Sequence, residues 1–215
     1  MSKKIIEPRL AIFAVFALMV CEVTVADTFI ASLPYTMSIS GETYFLSSNL
    51  RYTGNGTALR VTADNVTLDG GGNELEYCVG GLSNNTCTGL SVSGTLGVRI
   101  QNITFRQGGQ TFSAGGSGAA IRGLSVRNIT VTGSTFYLIA RPTATEMFGV
   151  DVDTTTAGSV LELSNFNITG AGPMKAIDQP SSSPWVVRGN VITITNLKYK
   201  KSYARIINVS HGGEY

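Results

Sequence analysis

An eight-residue pattern of apolar and polar positions recurs along the chain. It reads apolar, x, apolar, x, Asn, apolar, x, apolar, and its first copy carries Gly70 at the Asn place. The five copies are residues 66–73, 98–105, 124–131, 161–168 and 192–199. Their starts are 32, 26, 37 and 31 residues apart. Repetition at this spacing is typical of solenoids, in which each unit buries its apolar face by stacking on its neighbours.

The pattern predicts two short strands joined by a corner. The apolar residues at positions one and three face one side of a strand, and the inward phase shifts between positions five and six. Asn suits such a corner because it tolerates the left-handed region and hydrogen-bonds to nearby backbone. Stacked units would then align these residues into an internal ladder of side-chain amides. The predicted ladder residues are Asn102, Asn128, Asn165 and Asn196.

A second series of apolar segments lies just upstream of the octads and predicts a third strand in each unit. The segments are residues 58–61, 89–92, 120–123 and 149–152, with 185–188 as a further candidate. Long loops follow the last strand of each unit, at residues 74–88, 106–118, 132–147 and 169–184. The predicted fold class is all-β, a single-stranded parallel β-helix of about five to six coils.

The run YFLSSNLRYTGNGTALRVTADNVTLDGGG, residues 44–72, resembles the opening coils of the pectin-lyase-like superfamily of β-helix proteins with PbH1-type repeats. The units GLSV…VRIQNITF and GVDV…LELSNFNI resemble the same family. The resemblance covers residues 41–199 and implies a right-handed β-helix. It does not choose a function, because the superfamily includes polysaccharide lyases, glycosidases, copper-maturation proteins, adhesins and surface-layer proteins.

The first residues have the features of a secretory signal peptide. A basic start with Lys3, Lys4 and Arg9 precedes an apolar run that ends at a small-residue site before Asp27. A retained signal-anchor is the alternative. The predicted organisation is a signal peptide at 1–26, a cap and first irregular coil at 27–55, the β-helix at 56–199 and a tail or partial last coil at 200–215. The protein is therefore expected to be secreted or at the cell surface, with no membrane span once the signal is removed.

Two features follow from export. Cys78 and Cys87 are the cysteines that remain after signal removal, and they predict a local disulfide. Sequons of the form N-x-[ST] predict glycosylation at Asn84, Asn55 and Asn208. The sequons at Asn102 and Asn128 are instead explained by the ladder. Further sequons begin at Asn65 and Asn167.

Charge and composition disfavour some classes of partner and cofactor. The net charge is +2 and charged residues make up 14% of the chain, which is no nucleic-acid footprint. One His and few Met disfavour a copper site, so neither a metal nor another cofactor is expected.

The outward residues of the predicted first strand form a candidate binding face: Arg60, Ser91, Arg122 and Asp151. Asp151 and Asp153 are candidate catalytic carboxylates, because glycoside hydrolysis needs a carboxyl pair. Arg122 would be a lyase's basic group or the partner that keeps Asp151 ionised. All three residues are equally explained as a solubilising surface, so no catalytic set is assigned.

The sequence thus predicts a secreted or cell-surface β-helix with a non-catalytic binding or structural role. Its stacked loops and first-strand face would contact a glycan or a surface protein. Two alternatives stay open: a polysaccharide-degrading lyase or glycoside hydrolase that uses the same face, and a structural subunit that associates end to end.

Overall fold

The computed structural model describes residues 27–80, 82–83, 86–109, 111–112, 117–139, 146–153, 160–164, 166–171, 174–178, 186–189 and 192–195. Within these ranges the chain forms 21 strands and no helix. The predicted signal peptide and tail lie outside the described residues. The prediction of an all-β fold is confirmed for the described residues.

The strands come in sets of three, which we call rungs, and each rung contributes one strand to each of three parallel sheets. β1 (Thr28–Ile30) precedes the first rung. The six rungs are β2 (Tyr35–Met37), β3 (Thr43–Leu46), β4 (Leu50–Arg51); β5 (Gly56–Val61), β6 (Thr67–Asp69), β7 (Glu74–Tyr77); β9 (Thr86–Ser93), β10 (Leu96–Gln101), β11 (Thr104–Gln107); β13 (Ser117–Leu124), β14 (Arg127–Thr132), β15 (Thr135–Ile139); β16 (Glu146–Asp153), β17 (Val160–Ser164), β18 (Phe166–Ala171); and β19 (Met174–Asp178), β20 (Val186–Gly189), β21 (Ile192–Thr195). The loop strands β8 (Leu82–Ser83) and β12 (Thr111–Phe112) pair with each other.

Successive rungs lie next to one another in every sheet. The first sheet has the order β2-β5-β9-β13-β16-β19, the second β1-β3-β6-β10-β14-β17-β20, and the third β4-β7-β11-β15-β18-β21. All of the strand pairings are parallel, which is the predicted orientation. This order is compatible with a parallel β-helix.

Apolar side chains form in-register columns between the sheets. In the third sheet Leu75, Phe105 and Phe136 lie level with one another and are fully buried. The rings of Phe105 and Phe136 stack with their centroids 5.1 Å apart. Burial of each such side chain contributes about 1.5–3 kcal/mol relative to exposure. These columns hold the rungs together, because one rung alone has no second layer to cover its apolar face.

The register tests the upstream strands predicted from the sequence. Leu59, Leu90, Ile121 and Val150 are level with one another in the first sheet, which confirms the four segments at 58–61, 89–92, 120–123 and 149–152. The further candidate at 185–188 is wrong. Ile177 of β19 is the residue level with Val150, while β20 lies in the second sheet. The reason is a short connection of two residues between β18 and β19, which brings the first-sheet strand earlier than the repeat length implied.

Two of the five octads are out of frame. Val98 is level with Ile129, not with Leu124, and Leu161 is level with Val187, not with Ile192. The octad at 124–131 therefore starts five residues early relative to the true repeat, and the octad at 192–199 starts five residues late. In each rung, strands with alternating apolar residues flank the corner between the first and second sheets and the corner between the second and third. The octad pattern therefore fits either corner.

The internal Asn ladder is wrong at both of its described members. Asn102 and Asn128 have the expected left-handed backbone, with φ of 52° and 57°, but both side chains are exposed. They also occupy different corners, since Asn102 follows β10 and Asn128 lies at the start of β14. Asn165 and Asn196 lie outside the described residues. The interior is filled by apolar columns, and an amide there would lose its hydration without gaining partners.

Candidate binding faces

The first sheet brings the predicted binding face together. Arg60, Ser91, Arg122 and Asp151 stand level with one another on β5, β9, β13 and β16. Each is flanked along its strand by a buried residue, so the four side chains face outward. Arg60 is exposed and the other three are half-buried. Because neighbouring strands lie about 4.8 Å apart, the face is a polar stripe of fixed spacing.

Arg122 and Asp151 form an ion pair at one end of this stripe. Nε of Arg122 donates to Oδ2 of Asp151 at 3.0 Å, and the two side chains are only 19% and 14% exposed. Nη2 of Arg122 also lies 3.5 Å from Oγ of Ser117. The guanidinium is thus held by a residue of the neighbouring strand, β16, and by a residue of its own strand, β13. The predicted role of Arg122 as the partner of Asp151 has the geometry it requires.

The remaining acidic candidates are placed by their backbone positions. Asp153 lies two residues beyond Asp151 on β16 and is level with Leu124. Asp178 is level with Asp151 on the next strand, although it is not among the face residues predicted from the sequence. The segment Ala-Ile-Asp that ends at Asp178 resembles the Gly-Val-Asp that ends at Asp151, and this match could have placed Asp178 on the face from the sequence.

A second charged face, which is not among the sequence predictions, lies on the third sheet. Glu74 and Glu76 alternate with buried residues on β7, so both carboxylates point outward. Nε of Arg106 contacts Oε2 of Glu74 at 2.8 Å, and Nε of Arg51 contacts Oε2 of Glu76 at 2.9 Å. The guanidinium carbon of Arg106 also lies 4.4 Å from the ring centre of Tyr137. The alternation that revealed Asp151 and Asp153 also marks this pair.

Asp69 organises the corner after β6. Its carboxylate accepts hydrogen bonds from the Gly71 N–H at 2.8 Å, from Nε2 of Gln101 at 2.7 Å and from Nδ2 of Asn102 at 3.3 Å. Partial burial acts to raise the pKa of Asp69, but the hydrogen bonds from Gln101, Gly71 and Asn102 outweigh it and lower that pKa below its ordinary value. The carboxylate therefore joins two consecutive rungs.

Two of the predicted loops, 74–88 and 106–118, pair through β8 and β12, but the predicted loop bounds are wrong, because β7, β15 and β19 lie inside 74–88, 132–147 and 169–184. Cys78 and Cys87 lie at disulfide distance, with their Cα atoms 5.7 Å apart, and both are buried. In the same region β8 and β12 pair in parallel, with Leu82 level with Thr111. The loop that leads into β9 and the loop that leads into β13 are therefore adjacent in space. Of the predicted glycosylation sites, Asn55 is exposed, and Asn84 and Asn208 lie outside the described residues.

The described side chains include no group of three or more His, Cys, Asp or Glu residues arranged to hold a metal ion. No helix suited to crossing a membrane occurs in the part of the chain that the structure describes. The sequence matches no protein-family model, no curated protein and no solved structure.

Proposed function

We propose that this protein is an exported right-handed, single-stranded β-helix of the pectin-lyase-like kind, and that it binds an extended glycan without cleaving it. The glycan would lie along the first-sheet face and contact the loops beside it. The repeated order of three parallel sheets supports the fold, and the sequence resemblance supports the handedness. The basic start and apolar run of residues 1–26 support export.

The observation that carries the proposal is the in-register stripe of Arg60, Ser91, Arg122 and Asp151. Its polar groups recur at the strand spacing of about 4.8 Å, which is comparable to the length of one hexose unit. Binding to such a stripe costs little ordering, because the sheet holds the side chains in place before the ligand arrives. A polymer of hydroxyl-bearing rings matches both the spacing and the mixture of donors and acceptors.

The ion pair favours binding over catalysis. A general base or nucleophile must be able to reach the substrate, whereas Oδ2 of Asp151 already accepts a hydrogen bond from Arg122. The guanidinium of Arg122 has further N–H groups that can donate to sugar hydroxyls while Nε stays paired with Asp151. Its role is then recognition, with the orientation of both groups fixed.

One observation favours the enzyme alternative. Asp178 is level with Asp151, and Asp153 is two residues away on the same strand. Adjacent strands are about 4.8 Å apart, and residues i and i+2 of a strand are about 7 Å apart. These backbone spacings are near the carboxyl separations of retaining and inverting glycosidases, about 5–5.5 Å and 6.5–9.5 Å.

A glycan array probed with the purified, exported protein tests the proposal. We expect binding to one class of extended polysaccharide, reduced at least tenfold by Arg60→Gln and by Arg122→Gln. Arg51→Gln is the matched control, because Arg51 also pairs with a carboxylate but lies on the third sheet. Loss of binding in the control as well, or no binding to any glycan, would contradict the proposal.

Catalysis is tested separately. The protein is incubated with neutral and uronic-acid polysaccharides, and reducing ends and unsaturated ends are measured. Release of either product, abolished by Asp151→Asn, would replace the binding role with the enzyme alternative.

A further inference from the structure

Two phenylalanine side chains lie next to each other on the outer surface of the second sheet, at its N-terminal end. Phe29 of β1 is level with Phe45 of β3, and their ring centroids lie 5.6 Å apart with the ring planes tilted by 31°. Phe29 is 64% exposed, more than any other large apolar side chain in the described part of the chain, and Phe45 is half-buried. We call this pair the aromatic platform.

The alternation of each strand places both rings outside. Ile30 follows Phe29 and is fully buried. Tyr44 and Leu46 flank Phe45 and are buried as well. Because successive side chains of a strand point to opposite faces, both phenylalanine rings face solvent. A polar residue at position 29 would leave the core intact, so the packing of the core does not explain the exposed ring.

The edge strand β1 is held at both of its ends, which fixes the backbone beneath the platform. The Thr28 hydroxyl donates to Oε1 of Glu42, which is buried. At the other end, the carbonyl oxygen of Ile30 accepts hydrogen bonds from the backbone N–H of Ser47 at 3.1 Å and from its hydroxyl at 3.0 Å. Little conformational entropy is therefore lost when a ligand stacks on Phe29.

Hydrogen-bonding groups border the platform. Asp69 is level with Phe45 on the next strand, and Gln101 is level with Asp69 on the strand after that. Nε2 of Gln101 donates to Asp69 at 2.7 Å, whereas Oε1 of Gln101 accepts no hydrogen bond from the described residues. Thr43 lies two residues before Phe45 on β3, so its side chain faces the same side of the sheet. Three strand spacings, about 14 Å, separate Phe29 from Gln101.

The size of the platform favours a small ligand over a protein. A phenylalanine or larger aromatic side chain buries about 150–250 Å² when it is covered completely, so the two rings offer at most about 500 Å². A stable protein interface needs about 800 Å² from each partner. A wholly apolar small molecule would also be a poor ligand, because such molecules bind in clefts that cover most of their surface, and these rings lie on the outside of a sheet.

A pyranose ring with equatorial hydroxyls matches the platform and its border. Its axial C–H bonds form apolar faces that pack on aromatic rings, and its hydroxyls project sideways to hydrogen-bonding groups. The charge next to Phe45 distinguishes neutral from acidic sugars. An acidic sugar stacked there would bring its carboxylate close to that of Asp69, and the two like charges would repel each other.

We propose that Phe29 and Phe45 form a binding site for a neutral oligosaccharide of equatorially substituted pyranoses, such as cellotetraose. The oligosaccharide lies across β1, β3, β6 and β10, with one ring stacked on the phenylalanines and a hydroxyl of a following unit donating to Oε1 of Gln101. This site goes beyond the proposed function, because it lies on a different sheet from the stripe of Arg60 to Asp151 and depends on different residues.

Isothermal titration of the purified, exported protein with cellotetraose tests the site. We expect binding that weakens at least tenfold in Phe29→Ala, because one of the two stacking rings is lost, and that persists in Phe29→Tyr, which keeps a ring. Ile39→Ala is the matched control and should bind normally, since Ile39 is a large apolar side chain that is 57% exposed but lies outside the platform. Tetragalacturonate is the acidic probe, and we expect no part of its binding to depend on Phe29.

Absence of cellotetraose binding, or equal binding in Phe29→Ala and in the unchanged protein, overturns this inference. If Arg122→Gln weakens cellotetraose binding and Phe29→Ala does not, the sugar belongs to the first-sheet stripe, which overturns this inference and leaves the proposed function standing. Loss in Phe29→Ala but not in Arg122→Gln supports this site, whether or not the first-sheet stripe binds a glycan. A dimer in sedimentation that Phe29→Ala converts to a monomer would make the platform a contact between two copies, which also overturns the inference.

Discussion

We expect the ion pair between Arg122 and Asp151 on the first-sheet face to give a large coupling free energy between the two side chains. The two side chains are 19% and 14% exposed, with Nε and Oδ2 3.0 Å apart. At an effective dielectric constant of about 20, their attraction is about 5 kcal/mol, and desolvation offsets a large part of it. We therefore expect a coupling free energy of about 1–3 kcal/mol.

A double-mutant cycle measures this coupling. Arg122→Met and Asp151→Asn are expected to lower the free energy of unfolding by about 2–3 kcal/mol each, because each leaves a half-buried charge or polar group without its partner. The double variant should cost about as much as one of the singles, since no charge remains unpaired. Denaturant unfolding at neutral pH and two salt concentrations gives all four free energies.

The pair of Arg51 and Glu76 is the control for the cycle. Its N–O distance is nearly the same, 2.9 Å, but the Arg51 side chain is 64% exposed. We expect a coupling below about 1 kcal/mol that falls with added salt. If the Arg122–Asp151 coupling is no larger than this control, the pair is not held rigidly, and the binding stripe is not preorganised.

Three further predictions concern stability. The Tyr77 hydroxyl is fully buried and has no hydrogen-bond partner in the part of the chain that the structure describes, so Tyr77→Phe should raise the free energy of unfolding by about 1 kcal/mol, and a decrease would reveal a partner. The pKa of Asp69 lies below the ordinary Asp value, so its carboxylate contributes stability that is present above the unfolded-state pKa and is lost as pH falls through the folded-state value. Asp69→Asn should therefore be less stable than wild type at pH 7 by about 1 kcal/mol, with the gap in melting temperature closing in acid. A gap that persists in acid would show that the charged carboxylate, which accepts the hydrogen bond from Gln101, is not responsible. Replacing both Cys78 and Cys87 by Ala should cost about 2–3 kcal/mol in chemical denaturation, because the crosslink closes a short loop with a sequence separation of 9, and an unchanged midpoint would argue against the bond.

Local pattern predicted the parts of the fold that depend on local physics. Segments such as 89–92 alternate or run apolar because one side of the strand is buried, and they lie where the sequence placed them. Asn102 and Asn128 have the left-handed backbone expected of a corner, since the short amide side chain tolerates that conformation. The close spacing of Cys78 and Cys87 likewise predicts a local disulfide from the sequence alone.

Some residues of the charged faces could be predicted from the sequence and others could not. Arg60, Ser91, Arg122 and Asp151 follow a regular spacing along the chain, so counting residues was enough to align them. Asp178 was missed because the connection before β19 is short, and loop length carries no fixed pattern. The Glu74 and Glu76 pair was visible in the alternation of β7, but its arginine partners come from the rungs on either side.

The sequence alone thus determined that the chain makes short parallel strands, which residues each strand buries, and where left-handed corners fall. These properties depend on the two-residue period of a strand and on the backbone preferences of single residues. Only the tertiary structure decided the frame of the octads and the side on which Asn102 and Asn128 lie. Both depend on which residue of one rung meets which residue of the next, and connections of unequal length set that register.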